Sequence, residues 1–473
     1  MSFPRHAAQG LAAAAVGTVA LCAHAASLSA QGFGLSEIGT CAVSRGFAVT
    51  GATCNDPSVI YWNPAAAAEL DRNTVSLGAN AIIIKGGFTQ DTSGTRYGSN
   101  IQPQLVPSFF GNVRRGRFAV GLGLYVPYGL TSQWNDNFPG RFSALKARLQ
   151  TIYVQPNLAY RLSDHWSVGG GPVFGSSDVE LTQALDLSQQ SAGGSPITFG
   201  QLGIAKNTEF ARIRLAGSAH GVGYNVGVHG KYADWTIGAR YLSTLNFHYR
   251  DATATFTQRP TGLFLAQGNP IVPQGAAAPL DLVLASQFSG AGALTNQLGD
   301  SRITHPWQAQ AGIGYSGLAG TVLSADVVRL GWSRFSTLPV VFEGNAAASS
   351  RTLIEDYSDS WSYRFGAEHT VREAGWLQGW TGRVGYSYAE SPAPDVTVTP
   401  LLPDMNRRNF SAGLGIPVGP RYRLDAGYLH VNTPGRRGRI TERMSESQTA
   451  QALNSGVYDL KADVISLSLT ATF

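Results

Sequence analysis

The sequence predicts an all-β fold, a transmembrane antiparallel β-barrel of about 14 strands. Three observations predict it. Beyond residue 70 apolar side chains recur at every second position, and the connectors between those runs alternate between short and long along the whole chain. The chain also stops on an aromatic residue, Phe473, at the end of the cleanest alternating run.

Composition agrees. Charged residues make up 14%, aromatic residues 10%, and 56 of the 473 residues are glycine. Mean hydropathy is −0.05, far too polar for a bundle of membrane helices but suited to strands with one lipid face and one wetter face. Past the first thirty residues no apolar run approaches the ~20 residues that a spanning helix needs. The net charge of +5 comes from scattered basic residues, densest at Arg114, Arg115 and Arg117. They lack the aromatic interleaving of a nucleic-acid platform, so no nucleic-acid partner is expected.

Residues 1–29 read as a secretory signal peptide. Arg5 and His6 supply a short basic start, and a small, apolar run from Leu11 to Cys22 follows. Cleavage fits after Ala25 or after Ser29, each preceded by small residues at the recognised positions. Cys22 follows Leu21, which argues against a lipid attachment site.

Residues 30–71 do not read as barrel wall. They lack alternation and contain Cys54-Asn55-Asp56-Pro57 and Trp62-Asn63-Pro64-Ala65 before an alanine run. Proline has no donor for a ladder, so a short-helical plug or an external extension is expected. Only Cys41 and Cys54 survive export; in an oxidising compartment a disulfide is preferred over a metal site.

The wall itself, residues 72–473, divides into strands starting near Asn73, Gln104, Arg117, Gln150, Trp166, Gly217, Asp234, Ile303, Thr321, Trp361, Thr381, Arg408, Tyr422 and Asp463. In the third, Phe118, Val120, Leu122, Leu124 and Val126 oppose Ala119, Gly121, Gly123 and Tyr125. In the last, Ile465, Leu467, Leu469, Ala471 and Phe473 alternate with Ser466, Ser468, Thr470 and Thr472. Short turns fall at 114–116, 163–165, 232–234, 316–320, 371–378 and 418–420, with long segments between, including 177–210, 250–302, 333–360 and 432–461. An outer-membrane barrel has such one-sided loops, and closure removes strand edges that lipid could not satisfy. Tyr160, Trp166, Trp235, Trp307, Trp361 and Trp380 near strand ends suit aromatic girdles. The chain is therefore expected in the outer membrane of a Gram-negative bacterium, among lipopolysaccharide and phospholipid.

Several ordered motifs resemble one family, the FadL long-chain fatty acid transporters with their toluene- and xylene-transporting relatives. They are Gly32-Phe33-Gly34-Leu35-Ser36-Glu37, Asn63-Pro64-Ala65, Tyr128-Gly129-Leu130 with Trp134, and the segment from Tyr160 to Trp166. Ser391-Pro392-Ala393-Pro394-Asp395 and Pro403-Asp404-Met405-Asn406-Arg407 complete the set, so the match spans nearly the whole mature chain. The resemblance implies an N-terminal hatch inside the lumen, a ligand pocket near it, and a lateral opening at a kinked strand. Phe33 and Leu35, with Glu37 in the same motif, match hatch residues near the pocket; Asn63, Pro64 and Ala65 match a hatch motif beside the opening. Read from the residues alone, that motif is a rigid turn in which Asn caps its own backbone and Pro fixes φ. The two cysteines depart from the family pattern, and if paired they stiffen the hatch. The implied ligand is a hydrophobic small molecule, a fatty acid, alkane or aromatic; the loop segments 269–295 and 338–342 suit any of these. The barrel-insertion machinery is the implied assembly partner and a monomer the implied state.

Catalytic chemistry has no signature. The 9 histidines form no H-x-x-x-H or H-E-x-x-H, there is no G-x-S-x-G or G-x-x-x-x-G-K, and no metal or cofactor site is expected. The alternatives are a general diffusion porin, with opposed charges at a constriction and no plug, and a barrel lipase or protease whose residues no local motif reveals.

Overall fold

The computed structural model describes residues 32–192, 196–265, 278–343, 350–373, 375–438 and 455–473. The expected signal peptide and parts of the long segments 269–295 and 432–461 lie outside the described residues.

The wall is a closed antiparallel barrel of 14 strands. They are β1 Thr74–Gln90, β2 Gln104–Arg115, β3 in two pieces Phe118–Tyr125 and Gly129–Gln133, β4 Lys146–Arg161, β5 Trp166–Asp186, and β6 Glu209–Tyr232. Then follow β7 in two pieces Trp235–Leu242 and Leu245–Gln258, β8 likewise Gln297–His305 and Gln308–Leu318, β9 Thr321–Leu330, and β10 Ser360–Thr370. The set ends with β11 Thr381–Ala389, β12 Arg407–Val418, β13 Tyr422–Asn432 and β14 Gly456–Thr472. Closure is by β14 on β1, in continuous register from Thr74↔Thr472 to Gln90↔Gly456.

Strand positions match the period-2 reading, but several strands begin earlier than alternation suggests. β6 begins at Glu209 rather than Gly217, β8 at Gln297 rather than Ile303, and β14 at Gly456 rather than Asp463. Outside lipid the outward face of a strand turns polar, as at Arg212 and Arg214, while residues such as Ala211, Leu215 and Tyr458 on the other face stay buried. The apolar outward face that marks a wall strand then fades, while the backbone ladder continues to satisfy its own donors. For the same reason part of the expected loop 177–210 is strand as far as Asp186, and the expected loop 333–360 contains the paired strands Thr337–Phe342 and Arg351–Ile354.

Faces follow composition. Phe118, Val120 and Leu122 are 54%, 60% and 41% exposed, whereas Ala119 and Tyr125 are buried. Ile465, Leu467 and Leu469 face outward while Ser466, Ser468 and Thr470 are buried. The alternation of β3 fails at Val126, which is buried, at the point where that strand is interrupted.

The N-terminal segment forms helices α1 Thr40–Ser44 and α2 Val59–Trp62 and a 3-10 turn Pro64–Ala68, all buried. It lies against the inward faces of the strands. Its irregular backbone leaves carbonyls that need donors, and wall side chains provide them. Asn112 Nδ2 donates to the Ala67 carbonyl at 3.0 Å, Gln155 Nε2 to Ile60 at 3.0 Å, and Asn225 Nδ2 to Tyr61 at 3.1 Å. Wall glycines permit the close approach. A Cβ on Gly238 would stand 2.1 Å from the Thr50 carbonyl oxygen, and one on Gly385 2.0 Å from the Gly46 nitrogen.

Candidate functional site

The interruption of β3 has a local cause. Pro127 cannot donate to a ladder, and β3 leaves regular pairing over Val126, Pro127 and Tyr128. Below the break β3 pairs with β2 up to Phe109↔Leu124. β2 itself continues to Gln104, where it pairs with β1, so the β2–β3 seam ends short of the strand.

The N-terminal segment closes the break from inside. Leu35 N–H donates to the Pro127 carbonyl at 2.8 Å, and Gly129 N–H donates to the Phe33 carbonyl at 2.8 Å, with Gly34 and Tyr128 forming an isolated bridge. Further out, Asn100 N–H donates to the Gln133 carbonyl at 2.8 Å. Beside the second piece of β3 lies a small pocket lined by Ile84, Leu130, Trp134, Pro403, Tyr458 and Leu460.

Phe33, buried, is ringed by aromatic side chains. Its ring centroid lies 4.8 Å from Trp332, 5.2 Å from Phe335, 5.4 Å from His305 and 6.0 Å from Tyr128. Tyr357 backs Trp332 and Phe335 at 5.9 and 5.2 Å. Three of these rings, Trp332, Phe335 and Tyr357, come from the connection between β9 and β10, which the sequence marked only as a long loop. The clustering of Trp332, Phe335 and Tyr357 in one connection was the available signal.

Leu35 is buried beside this box and Glu37 is buried a turn further on. Burial pushes the Glu37 carboxyl up, and the guanidiniums of Arg407 and Arg364 act in the opposite direction. Glu37, Phe47, Arg364, Ser387, Arg407 and Asn409 border a small polar pocket. Asp404, in the same external motif as Arg407, is pushed up to about 6 by burial against the pull of Ser391, Arg407, Arg436 and the Gly32 amide. The motif Pro403-Asp404-Met405-Asn406-Arg407 thus reaches the start of the N-terminal segment from above.

Asn63, Pro64 and Ala65 lie elsewhere, against β6 and the start of β7. The Asn63 side-chain oxygen accepts from Ala65 N–H at 3.3 Å, which caps the turn, and Nδ2 donates to the carbonyls of Thr50 at 3.0 Å and Val228 at 3.1 Å. The motif therefore holds the turn to itself, to a neighbouring loop and to β6. Cys41 and Cys54 are disulfide-bonded, closing the stretch between the two helices. Glu69 and the Gly51 carbonyl flank His229 of β6 at 2.7 and 2.8 Å. The expected residues thus fall into two groups, Phe33, Leu35 and Glu37 at the break in β3, and Asn63, Pro64 and Ala65 at the β6 side.

Ends of β4, β5, β6 and β7 and the connection between β9 and β10 border an apolar cleft. Leu181, Leu185, Phe256, Leu294, Val340 and Phe342 line it together with Lys146 and Arg351. No group of metal-ligating residues stands out apart from Cys41, Cys54 and Asp56 among the described residues, and the disulfide engages both of its sulfurs.

Comparison with known proteins agrees with this architecture. The family described as outer membrane protein transport protein (OMPP1/FadL/TodX) matches residues 20–473. The chain is 26% identical over 429 residues to a long-chain fatty acid transport protein of Escherichia coli O6:H1, covering 87% of this chain and 88% of the relative. It is 28% identical over 425 residues to a 47 kDa outer membrane protein of Pasteurella multocida, covering 87% and 90%. Among solved structures, a Pseudomonas aeruginosa FadL homologue superposes with a TM-score of 0.74 at 23% identity, over 93% of this chain and all (100%) of the other. The Ralstonia pickettii toluene transporter TbuX has the same fold, with a TM-score of 0.61 at 20% identity over 94% and 99%. With its closed barrel, its strand break and a family match along almost the whole sequence, this chain belongs to the FadL/TodX family of outer-membrane transport proteins.

Proposed function

We propose that this chain is a passive channel for hydrophobic small molecules in which residues 30–71 act as a hatch and the ligand leaves sideways through the break in β3. One observation carries the reading. Among the described residues, the groups that bond the Pro127 carbonyl and the Gly129 amide are backbone groups of Leu35 and Phe33, so a small withdrawal of that stretch would open the wall without unfolding a strand. The apolar loop cleft is the entry point. A solute moving from there to the lumen and out through the wall avoids water, and each Å² of apolar surface kept dry is worth roughly 25 cal/mol. Long-chain fatty acids and monoaromatic hydrocarbons are the two cargo classes that the relatives' names suggest. The channel acts as a monomer among lipopolysaccharide and phospholipid, placed there by the barrel-insertion machinery.

Liposomes containing the purified protein test this. Uptake of a hydrophobic probe such as oleate or toluene should exceed that of empty liposomes, while swelling in small sugars stays at the background rate. Rapid sugar entry would instead make the chain a diffusion porin.

A further inference from the structure

We propose that an outward row of Arg408, Asn432, Lys461 and Lys85, at the seam where the barrel closes, binds the phosphate groups of lipid A, the phosphorylated glycolipid that anchors lipopolysaccharide in the outer leaflet. The site lies outside the wall and is independent of the cargo. Register alone assembles it. Arg408 of β12 is paired with Asn432 of β13, Asn432 with Lys461 of β14, and Lys461 with Lys85 of β1. One row therefore crosses four adjacent strands, a span of about 14 Å at the usual strand spacing. Arg408, Lys461 and Lys85 are exposed, while their strand neighbours Arg407, Ala462 and Ile84 are buried on the lumen side.

The row stands at the edge of the apolar band. Directly beneath it come Phe410, His430, Asp463 and Ile83, and beneath those Ala412, Tyr428, Ile465 and Ala81. Further down the outward face carries Leu414, Leu467 and Leu469, all exposed. The four side chains thus sit just beyond the lipid-facing surface, toward the long loops. In an outer membrane that is the level at which the acyl chains of the outer leaflet end and its phosphorylated sugars begin.

Charge selects the partner. Lys85 and Lys461 are directly opposite each other, and like charges so placed destabilise a strand pair. The nearby acids are engaged by other groups. Asp463, one row down, accepts from Tyr428 Oη at 2.6 Å and meets His430 Nδ1 at 2.9 Å. Asp459, one row up, accepts from Arg96 Nη2 at 2.8 Å. Four cations, Lys85, Lys461, Arg408 and Arg96, thus face two acids. Other outward cations toward the same end have a matching acid, as Arg329 has Asp359 at 3.6 Å and Lys146 has Glu180 at 2.8 Å. Phosphate oxygens accept from lysine, arginine and amide donors alike, and their charge removes the repulsion between the lysines. A lipid with two phosphates can meet the lysine pair and Arg408 at once.

The test uses the full chain in detergent with EDTA present, so that no divalent cation bridges protein and lipid. It is titrated with diphosphoryl lipid A, with the same lipid A stripped of its phosphates, and with phosphatidylglycerol, and binding is read by native mass spectrometry. The native protein should bind diphosphoryl lipid A roughly tenfold more tightly than either of the others. Lys85→Gln combined with Lys461→Gln should weaken that binding roughly tenfold, while Arg115→Gln, in a short turn at the other end of the barrel, should leave it unchanged. Thermal unfolding gives a readout that a purely structural role would not move. Without lipid the double variant should melt no lower than the native protein, because a repulsion is gone, and lipid A should raise the native midpoint more than the variant's. Arg408→Gln should give the same loss of affinity, and stands in should the double variant fail to insert. Equal lipid A binding by native protein and variants overturns the proposal. So does native binding of phosphatidylglycerol as tight as that of lipid A, and so does absence of lipid A binding.

Discussion

Single residues do most to explain how an irregular segment survives inside a barrel. Asn63 uses both ends of its amide, one to cap the following turn and one to reach Thr50 and Val228; the capping half is what its place before Pro64 implies, and the reach to β6 is visible only in three dimensions. Gly238 and Gly385 make room for backbone that a methyl group would exclude. Glu355 offers a pH readout. It is buried, and burial moves its carboxyl from near 4.5 when unfolded to about 8 when folded, so the folded state holds the proton more tightly. Its contribution to stability is fully present below pH 4.5 and is lost as pH rises to about 8. Each tenfold gain in proton affinity on folding is worth about 1.4 kcal/mol, so the effect across that window is a few kcal/mol at most. Thermal unfolding of the purified barrel should show a midpoint that falls over that range, and Glu355→Gln should flatten the fall. A profile identical in the two proteins would show that the carboxyl does not sit buried as described.

Elements explain why the β2–β3 seam is interrupted where it is. β3 is broken by a proline and completed by the N-terminal stretch, whereas β5 stays one strand from Trp166 to Asp186 although its ladder with β4 skips the residues around Pro156 and Pro172. The helices that brace this stretch are only 5 and 4 residues long, too short to be stable alone. They depend on packing and on the disulfide that joins Cys41 to Cys54 across a separation of 13 residues. A crosslink over a loop of that size is worth about 3 kcal/mol on the chain-entropy account. Replacing both cysteines by serine should therefore loosen residues 39–58 while leaving the wall unchanged. Hydrogen exchange should accelerate in that stretch alone; acceleration spread equally over the barrel strands would mean that the disulfide braces the whole molecule. Because the bond lies between the helices and not at Phe33, it limits movement of the segment's body more than that of residues 32–35.

The whole molecule behaves as two parts, a wall that closes on itself and a segment fitted within it. The ladder that closes β14 on β1 runs from Thr74 to Gln90, extended by the Phe473 N–H to the Asn73 carbonyl at 3.0 Å, and its backbone pairing uses no residue of the stretch 32–70. Deleting residues 31–70 should thus leave a barrel that inserts and resists denaturation. It should also raise sugar flux and single-channel conductance well above the native values, because the lumen of a barrel this size is wide when empty. A deletion that prevents insertion would show that the segment is needed to build the wall, and one that leaves conductance unchanged would remove its role as a barrier. Charged side chains line the lumen beneath it: Arg383 bridges Glu368 and Asp425 at 2.6 Å each, which makes the emptied pore polar and suited to water.

The barrel was legible in the sequence because a strand with lipid on one face and a wetter lumen on the other must alternate, as Ile465 to Thr470 do, and because outer-membrane barrels carry their long loops at one end. The Asn-Pro turn was legible for the equally local reason that it caps itself. The strand ends were not: from Glu209 to Ala216 the outward face carries Arg212 and Arg214 instead of apolar side chains, while Ala211 and Leu215 on the other face are buried. Nor was the box around Phe33, whose members Tyr128, His305, Trp332, Phe335 and Tyr357 are spread over more than two hundred residues. Local sequence determines which face each residue of a strand presents. Only closure of the barrel, which brings distant strands and loops around one point, decides which side chains meet.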